Sequence, residues 1–404
     1  MLAQLIGSDA GRKVLAVSLI FATTSAVVGV HMPYLPVWFD AVGMSPYQIG
    51  LLGAAPVIVR IFTIPIAGFL ADRWGRTVEL VALLSWAAFL GFLVLGQVRG
   101  FPLILLLIVY LAVVWSPVFP LSETVAMGVI RRQGLDYGRM RLWGSVAFIL
   151  TNLAGGLAID RLGTHTIVWL LAGLVLLSTL AAHVLMGAVG REATGTAGSA
   201  AAPGRPRLSL HDVAQLARRP TFLLFLCATG AVQSAHAVLY VFGVLHWRSM
   251  GITAEMASAL WAISIIMEVA LFATSAAVLR RLEPVQLIVL GCAASVVRWL
   301  AMGLDPGLIA LVPLQMAHAL TFGASHIGAM HYIVRTVPEH QLGTAQALYS
   351  AFTGGIAMGA LMLAIGPLYA SFAGQAYWAM ALVAALGLAA SLRLAVMGTD
   401  QSNI

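Results

Sequence analysis

GFLADRWGR, residues 68–76, lies between two apolar runs, 47–70 and 77–97, and decides how the chain is read. Each run has the length a helix needs to cross a bilayer, about 20 apolar residues. Between them the charges of Asp72, Arg73 and Arg76 are crowded together, and Gly75 suits a tight turn. Gly68 allows close helix approach. Asp72 can accept hydrogen bonds from helix N-terminal amides or pair with a neighbouring Arg. Apolar helix, charged turn, apolar helix is the repeating unit of a polytopic membrane protein, because each backbone amide inside the bilayer must be satisfied within its own segment.

The same pattern continues in both directions. Apolar runs bounded by charges, glycines or prolines fall at 14–39, 47–70, 77–97, 101–127, 142–159, 165–188, 221–246, 255–279, 285–303, 307–333, 343–370 and 375–397. The chain is 61% hydrophobic and 9% charged, with mean hydropathy +0.96. Soluble domains carry about 25% charged residues, so a soluble fold is excluded. One polar break interrupts the runs, GREATGTAGSAAAPGRPRLS at 190–209, and residues 190–219 read as a flexible linker. Residues 50–80 slide onto 258–288, placing Arg60 over Glu268 and Asp72 over Arg280, as transporter halves do. The expected fold is all-α and polytopic: twelve transmembrane helices in two pseudo-symmetric six-helix bundles, 1–189 and 220–404.

The net charge of +7 does not indicate nucleic acid, since the basic residues are spread between apolar runs. They set orientation instead. With the N-terminus inside, seventeen of the 22 Lys and Arg fall in cytoplasmic segments and three outside (Arg99, Arg161, Arg248). Both termini are therefore expected in the cytoplasm. No small-residue cleavage site follows the first run, so it is read as a retained helix. Cys227 and Cys292 lie in apolar runs and are expected to be packed, reduced thiols. Trp38, Trp115 and Trp247 are expected as interface anchors.

Charges inside spans are expensive to bury and mark function. They are Arg60, Glu123, Glu268 and Arg298. Helical spacing gathers polar and aromatic residues into stripes. Thr24, His31, Tyr34 and Trp38 form one; Ser116, Phe119 and Glu123 a second; Arg141, Ser145, Phe148 and Asn152 a third. In the second half they are Gln233, His236 and Tyr240; Ser264, Glu268 and Ser275; Gln315, His318, Phe322 and Ser325; and Gln346, Ser350 and Thr353. Such stripes mean interhelical hydrogen bonds or a water-lined cavity, and seven of them favour the cavity. The histidines His236, His318, His326 and His331 do not place three ligands on one face, so no metal is expected; they suit a proton relay or a substrate contact.

The turn at 68–76 resembles the signature of the major facilitator superfamily. LDYGRMRLWGSVAF (135–148), HMPYLPVWF (31–39), SAHA (234–237), VVRW (296–299), QMAHALTFGASHIGAMHYI (315–333) and QALYS (346–350) resemble its phenylpropionate permease branch and the lactose permease and nucleoside symporter relatives. The likeness covers nearly the whole chain outside the linker. It implies that Gly68, Asp72, Arg73, Gly75 and Arg76 gate movement between the halves. It implies a substrate-contacting pair in Glu123 and Arg141, a second-half substrate carboxylate in Glu268, and proton-coupling roles for Arg298 and His318. The acid expected one turn after His318 is Thr321 here, and the span-seven acid is also absent, with His236 and Leu239 nearby. Proton coupling is then expected through Glu268, Glu123 or a histidine.

The reading that follows is a rocker-switch importer of a small organic solute, best an aromatic carboxylate such as 3-phenylpropionate, coupled to protons. Arg141 and Arg298 would hold the carboxylate. Phe148, Phe322, Tyr240 and Trp143 offer ring surface, and His236, His318 and Gln346 further contacts. A bacterial inner-membrane monomer without cofactor is implied. A sugar or nucleoside symporter and a metabolite or drug exporter share the fold. An intramembrane enzyme lacks support: neither HExxH nor a nucleophile elbow occurs.

Overall fold

The computed structural model describes residues 9–133, 137–189 and 210–401. Among them the chain is nearly all helical and contains no strand. Eleven stretches are long and apolar enough to cross a membrane. They are spans one to ten, Asp9–Ala41, Pro46–Trp74, Thr77–Leu95, Phe101–Arg132, Tyr137–Leu162, Thr166–Val189, Pro220–Ser249, Ala254–Ala273, Pro284–Met302 and Leu308–Thr336, followed by Glu339–Met397. The last has 59 residues, nearly three crossings' worth of helix, and it turns at Ala373, where φ is +46°. That turn separates Met358–Phe372, the end of span eleven, from span twelve, Ala376–Gln401. The twelve-helix plan is met.

Local chemistry sets the span ends. Ser45 caps span two: its Oγ accepts from the Gln48 N–H at 3.3 Å, and its own N–H donates to Gln48 Oε1 at 2.9 Å, with Pro46 at the first helical position. Glu283, Pro284 and Gln286 repeat the device at span nine. Gly75 closes span two in the left-handed region at φ +62°, its N–H donating to Ala71 O at 2.9 Å. Span four is interrupted between Trp115 and Val118, where Pro117 withholds an N–H.

The chain divides into two compact units, Met1–Pro203 with Thr253–Ser258, and Gly204–Ile252 with Ala259–Ile404. In the first, span one packs on spans five and six, span three on six and span two on four. In the second, span twelve packs on spans seven and nine, and nine on ten. Large apolar side chains stay outside both cores, Leu83 at 63% exposed, Leu106 at 64% and Leu386 at 64% among them. A water-soluble surface does not carry so many; a lipid-facing one does.

Some expectations are corrected. Residues 190–209 of the proposed linker lie outside the described residues, but Leu210–Ala217 is a helix, with Leu216 buried in the cluster of Phe222, Phe225 and Leu394. An apolar side chain therefore fastens that part of the linker to the second unit. Trp38 and Trp247 are buried inside their bundles rather than exposed as anchors. Cys292 is buried as expected, whereas Cys227 is exposed.

Candidate functional site

Two groups of polar side chains stand out, one in each unit. The first comes from spans one, four and five. Span five begins at Tyr137, earlier than hydropathy indicates, so Tyr137 and Arg141 share a helix face one turn apart. Tyr137 donates its hydroxyl to Glu123 Oε1 at 2.6 Å. The Arg141 guanidinium carbon lies 5.3 Å from the Phe119 ring centre and 5.8 Å from that of Phe21, within cation–π range. Tyr137 meets Phe21 edge-on at 6.1 Å. Among the described residues no ion pair joins Glu123 to Arg141, the two residues expected to contact substrate together. Tyr137 takes the carboxylate, and the aromatic rings take the guanidinium.

The rest of that stripe serves packing. Met140, Gly144, Phe148 and Asn152 form the buried seam of span five. A side chain at Gly144 would begin 2.7 Å from Ser25 Oγ, so the helices touch there. Tyr34 Oη donates to Asn152 O at 3.0 Å, joining spans one and five. Phe148 is thus a seam residue rather than open ring surface, and these polar residues are interhelical bonds rather than cavity lining. Trp143, on the other side, is exposed.

The second group is built around Arg298 of span nine, which is 1% exposed. Its Nη1 donates to Thr321 Oγ1 at 2.9 Å and lies 3.3 Å from His318 Nδ1 and 3.5 Å from His236 Nε2. Its Nη2 donates to Gln315 Oε1 at 3.0 Å, an oxygen that also accepts from Ser264 Oγ at 3.0 Å. The guanidinium carbon sits 4.6 Å from the Trp299 ring centre. None of these partners carries a negative charge. The nearest carboxylate in the network is one step removed: Glu268 Oε2 lies 3.4 Å from His318 Nε2.

Donor and acceptor roles follow from satisfying every group. Arginine can only donate, so His318 accepts at Nδ1 and carries its proton on Nε2, which faces Glu268 Oε2 at 3.4 Å. His236 presents Nδ1 to the Val232 carbonyl at 3.0 Å, which makes Nδ1 the protonated nitrogen. Its Nε2 accepts from Thr321 Oγ1 at 3.0 Å. Even so, donors outnumber acceptors: Arg298 Nε and Gln315 Nε2 are buried with no hydrogen-bond partner among the described residues. Rings complete the site. Tyr240 stacks on His236 at 5.6 Å, and Phe322 on His318 at 5.3 Å.

The structure thus gathers Glu268, Arg298, His318, His236, Tyr240 and Phe322. It leaves Gln346 out: the buried face of Leu342–Ala351 carries Ala345 and Tyr349, and Gln346 is turned to the exposed side. Gln233 donates to Ser325 Oγ at 3.1 Å, another interhelical bond. At the gating turn Gly75 adopts the predicted turn, while Asp72, Arg73 and Arg76 are exposed. Close approach at Gly68 is not seen. A side chain there would meet nothing within 4 Å, because this face of span two, with Phe62 at 63% exposed and Phe69 at 63%, is uncovered in its unit. Tyr137 was missed by the sequence reading, although its place one turn before Arg141 was the available signal.

Residues 15–380 match the MFS_1 like family. A probable 3-phenylpropionic acid transporter of Escherichia coli (strain K12) is 30% identical over 359 residues, 88% of this chain and 91% of that protein. A maltose permease of Geobacillus stearothermophilus is 29% identical over 334 residues, covering 81% of this chain and 80% of the permease. Among solved structures, the nucleoside transporter NupG superposes with a TM-score of 0.81 at 18% identity, over 95% of this chain and 98% of that one.

Proposed function

The chain belongs to the MFS_1 like family of membrane transporters, not to an enzyme family, and from that premise we propose that it imports a small aromatic carboxylate together with protons by alternating access. The observation that carries the reading is the charge of Arg298, fully buried with only neutral hydrogen-bond partners. A buried cation lacking a direct counter-ion is held at a cost of several kcal/mol. A substrate carboxylate supplies that counter-ion and accepts from the two donors left without partners, Arg298 Nε and Gln315 Nε2. Tyr240 and Phe322, both only partly buried beside this network, offer ring surface against which an aromatic ring packs. The 30% identity to a probable 3-phenylpropionic acid transporter supports the same substrate class.

Coupling follows from charge. Without substrate, Glu268 balances Arg298 through His318. An arriving carboxylate brings a second negative charge into the same space, which is offset when Glu268 binds a proton. Arginine distribution supports a cytoplasmic-membrane protein with both termini inside, and a working monomer is part of the same proposal. The gating role of the 68–76 turn belongs to this reading too.

The test is uptake of labelled 3-phenylpropionate with and without an inward proton gradient, with galactosides and nucleosides as competitors. Gradient-dependent accumulation that neither competitor blocks is the expected result. No uptake would remove the aromatic-acid assignment and leave the transporter standing.

A further inference from the structure

Span ten is not a continuous α-helix. Ala319–Ala324 is wound as a π-helix, and α-helix resumes at Ser325. A regular α-helix carries positions eight apart about 80° around its axis. The wider π turn takes up most of that difference and aligns three rings in a column. His318 stacks on Phe322 at 5.3 Å and 13°, and Phe322 on His326 at 6.0 Å and 12°. In α geometry throughout, as the sequence reading assumes, these histidines stand apart.

Glu268 of span eight lies beside the column. Its carboxylate is 3.4 Å from His318 Nε2, and its Cγ is 3.8 Å from where a side chain on Gly323, between the two histidines, would begin. His326 is tied on its other side to span eleven, with Nδ1 3.2 Å from Tyr349 Oη, and Phe272 of span eight meets its ring edge-on at 6.3 Å. The titratable groups around Glu268 are His318 of span ten at 3.4 Å, His326 of span ten against Phe272 one turn along span eight, and Tyr240 of span seven stacked on His236, with Arg298 of span nine behind His318.

These groups are not equivalent as proton acceptors. His318 has its Nδ1 lone pair engaged by Arg298, so protonating it sets two cations 3.3 Å apart in a buried site. Tyr240 is already protonated at neutral pH. His326 is bound by a tyrosine hydroxyl rather than by an arginine.

We propose that His326 is a further proton-handling residue of the transport cycle, receiving the proton of Glu268 and carrying it toward the Arg335 end of span ten. This rests on the proton-coupled reading above. In the step, the Glu268 O–H bond breaks with its electron pair left on the carboxylate, and an N–H bond forms at His326 Nε2. Tyr349 is a positioning residue: with Nδ1–H donated to its hydroxyl, the lone pair is left on Nε2.

The test uses purified full-length protein, as wild type, His326→Gln and Tyr349→Phe. In proteoliposomes, net gradient-driven uptake of 3-phenylpropionate requires Glu268 to lose its proton, whereas counterflow exchange does not. His326→Gln is expected to lower net uptake by about a hundredfold while counterflow stays within about twofold; Tyr349→Phe shows a weaker loss of the same kind. Equal loss of both rates, or loss of neither, overturns the proposal. A second measurement needs no substrate. Infrared difference spectroscopy follows the protonated Glu268 band, identified by its absence in Glu268→Gln. At the pH where that band is half developed in wild type, it is expected to rise to roughly nine-tenths in His326→Gln, a one-unit effect. An unchanged band sinks the proposal. If wild type moves no 3-phenylpropionate at all, the substrate reading fails and the infrared result decides by itself.

Discussion

At Arg298 the difference between reading a residue and seeing its surroundings is sharpest. A charge in the middle of an apolar run was a sign of function from the sequence alone. That its direct partners are Thr321, Gln315, His318 and His236, all neutral, depends on three spans meeting, seven, nine and ten. Arg298→Lys keeps the charge and loses the planar fork, so KM for the carboxylate should rise about tenfold or more with smaller change in maximal rate. Initial rates over a substrate series measure it, and an unchanged KM would remove Arg298 from the site. Glu123 and Arg141 show the converse. Both were recognisable as a functional pair, yet Tyr137 stands between them because span five starts a turn early. Tyr137→Phe leaves the carboxylate without its donor and should cost about 1.5 kcal/mol. The thermal midpoint followed by tryptophan fluorescence checks this; a midpoint matching wild type means the bond does not contribute.

Among elements, the straight parts of spans were legible and their irregularities were not. Hydropathy placed all twelve runs because ~20 apolar residues admit few other readings. Caps were also written locally, as in Ser45-Pro46-Tyr47-Gln48 and at Gly75. Gly75→Ala forces a side chain to φ +62° and should destabilise by about 1 kcal/mol. A lowered melting temperature in detergent is the expected reading. The π turn at Ala319–Ala324 had no comparable local signature, since an extra residue per turn is set by what the helix packs against. Deleting Leu320 should restore α geometry and turn Phe322 out of register with His318, which breaks the three-ring column. Net uptake should then be lost in protein that still elutes as a single species. Full activity in that deletion would show that the ring column is dispensable.

For the whole molecule, membrane orientation is the property that the sequence predicts most directly. In a chain with Cys227→Ala and Cys292→Ala, a membrane-impermeant maleimide added to intact cells should label Arg248→Cys and spare Arg281→Cys, both exposed positions. The reverse pattern would invert the topology. By itself the sequence determined the class and the number of spans, and it predicts the sidedness tested above, because each follows from solvation of one segment at a time. It also marked Glu268, Arg298 and His318 as costly residues in apolar runs. Only the tertiary structure decided which polar residues join helices, as Tyr34 and Asn152 do, and which surround an unbalanced charge. The physical reason is that a buried polar group is defined by its partners, and here those partners lie on other helices, tens of residues away along the chain.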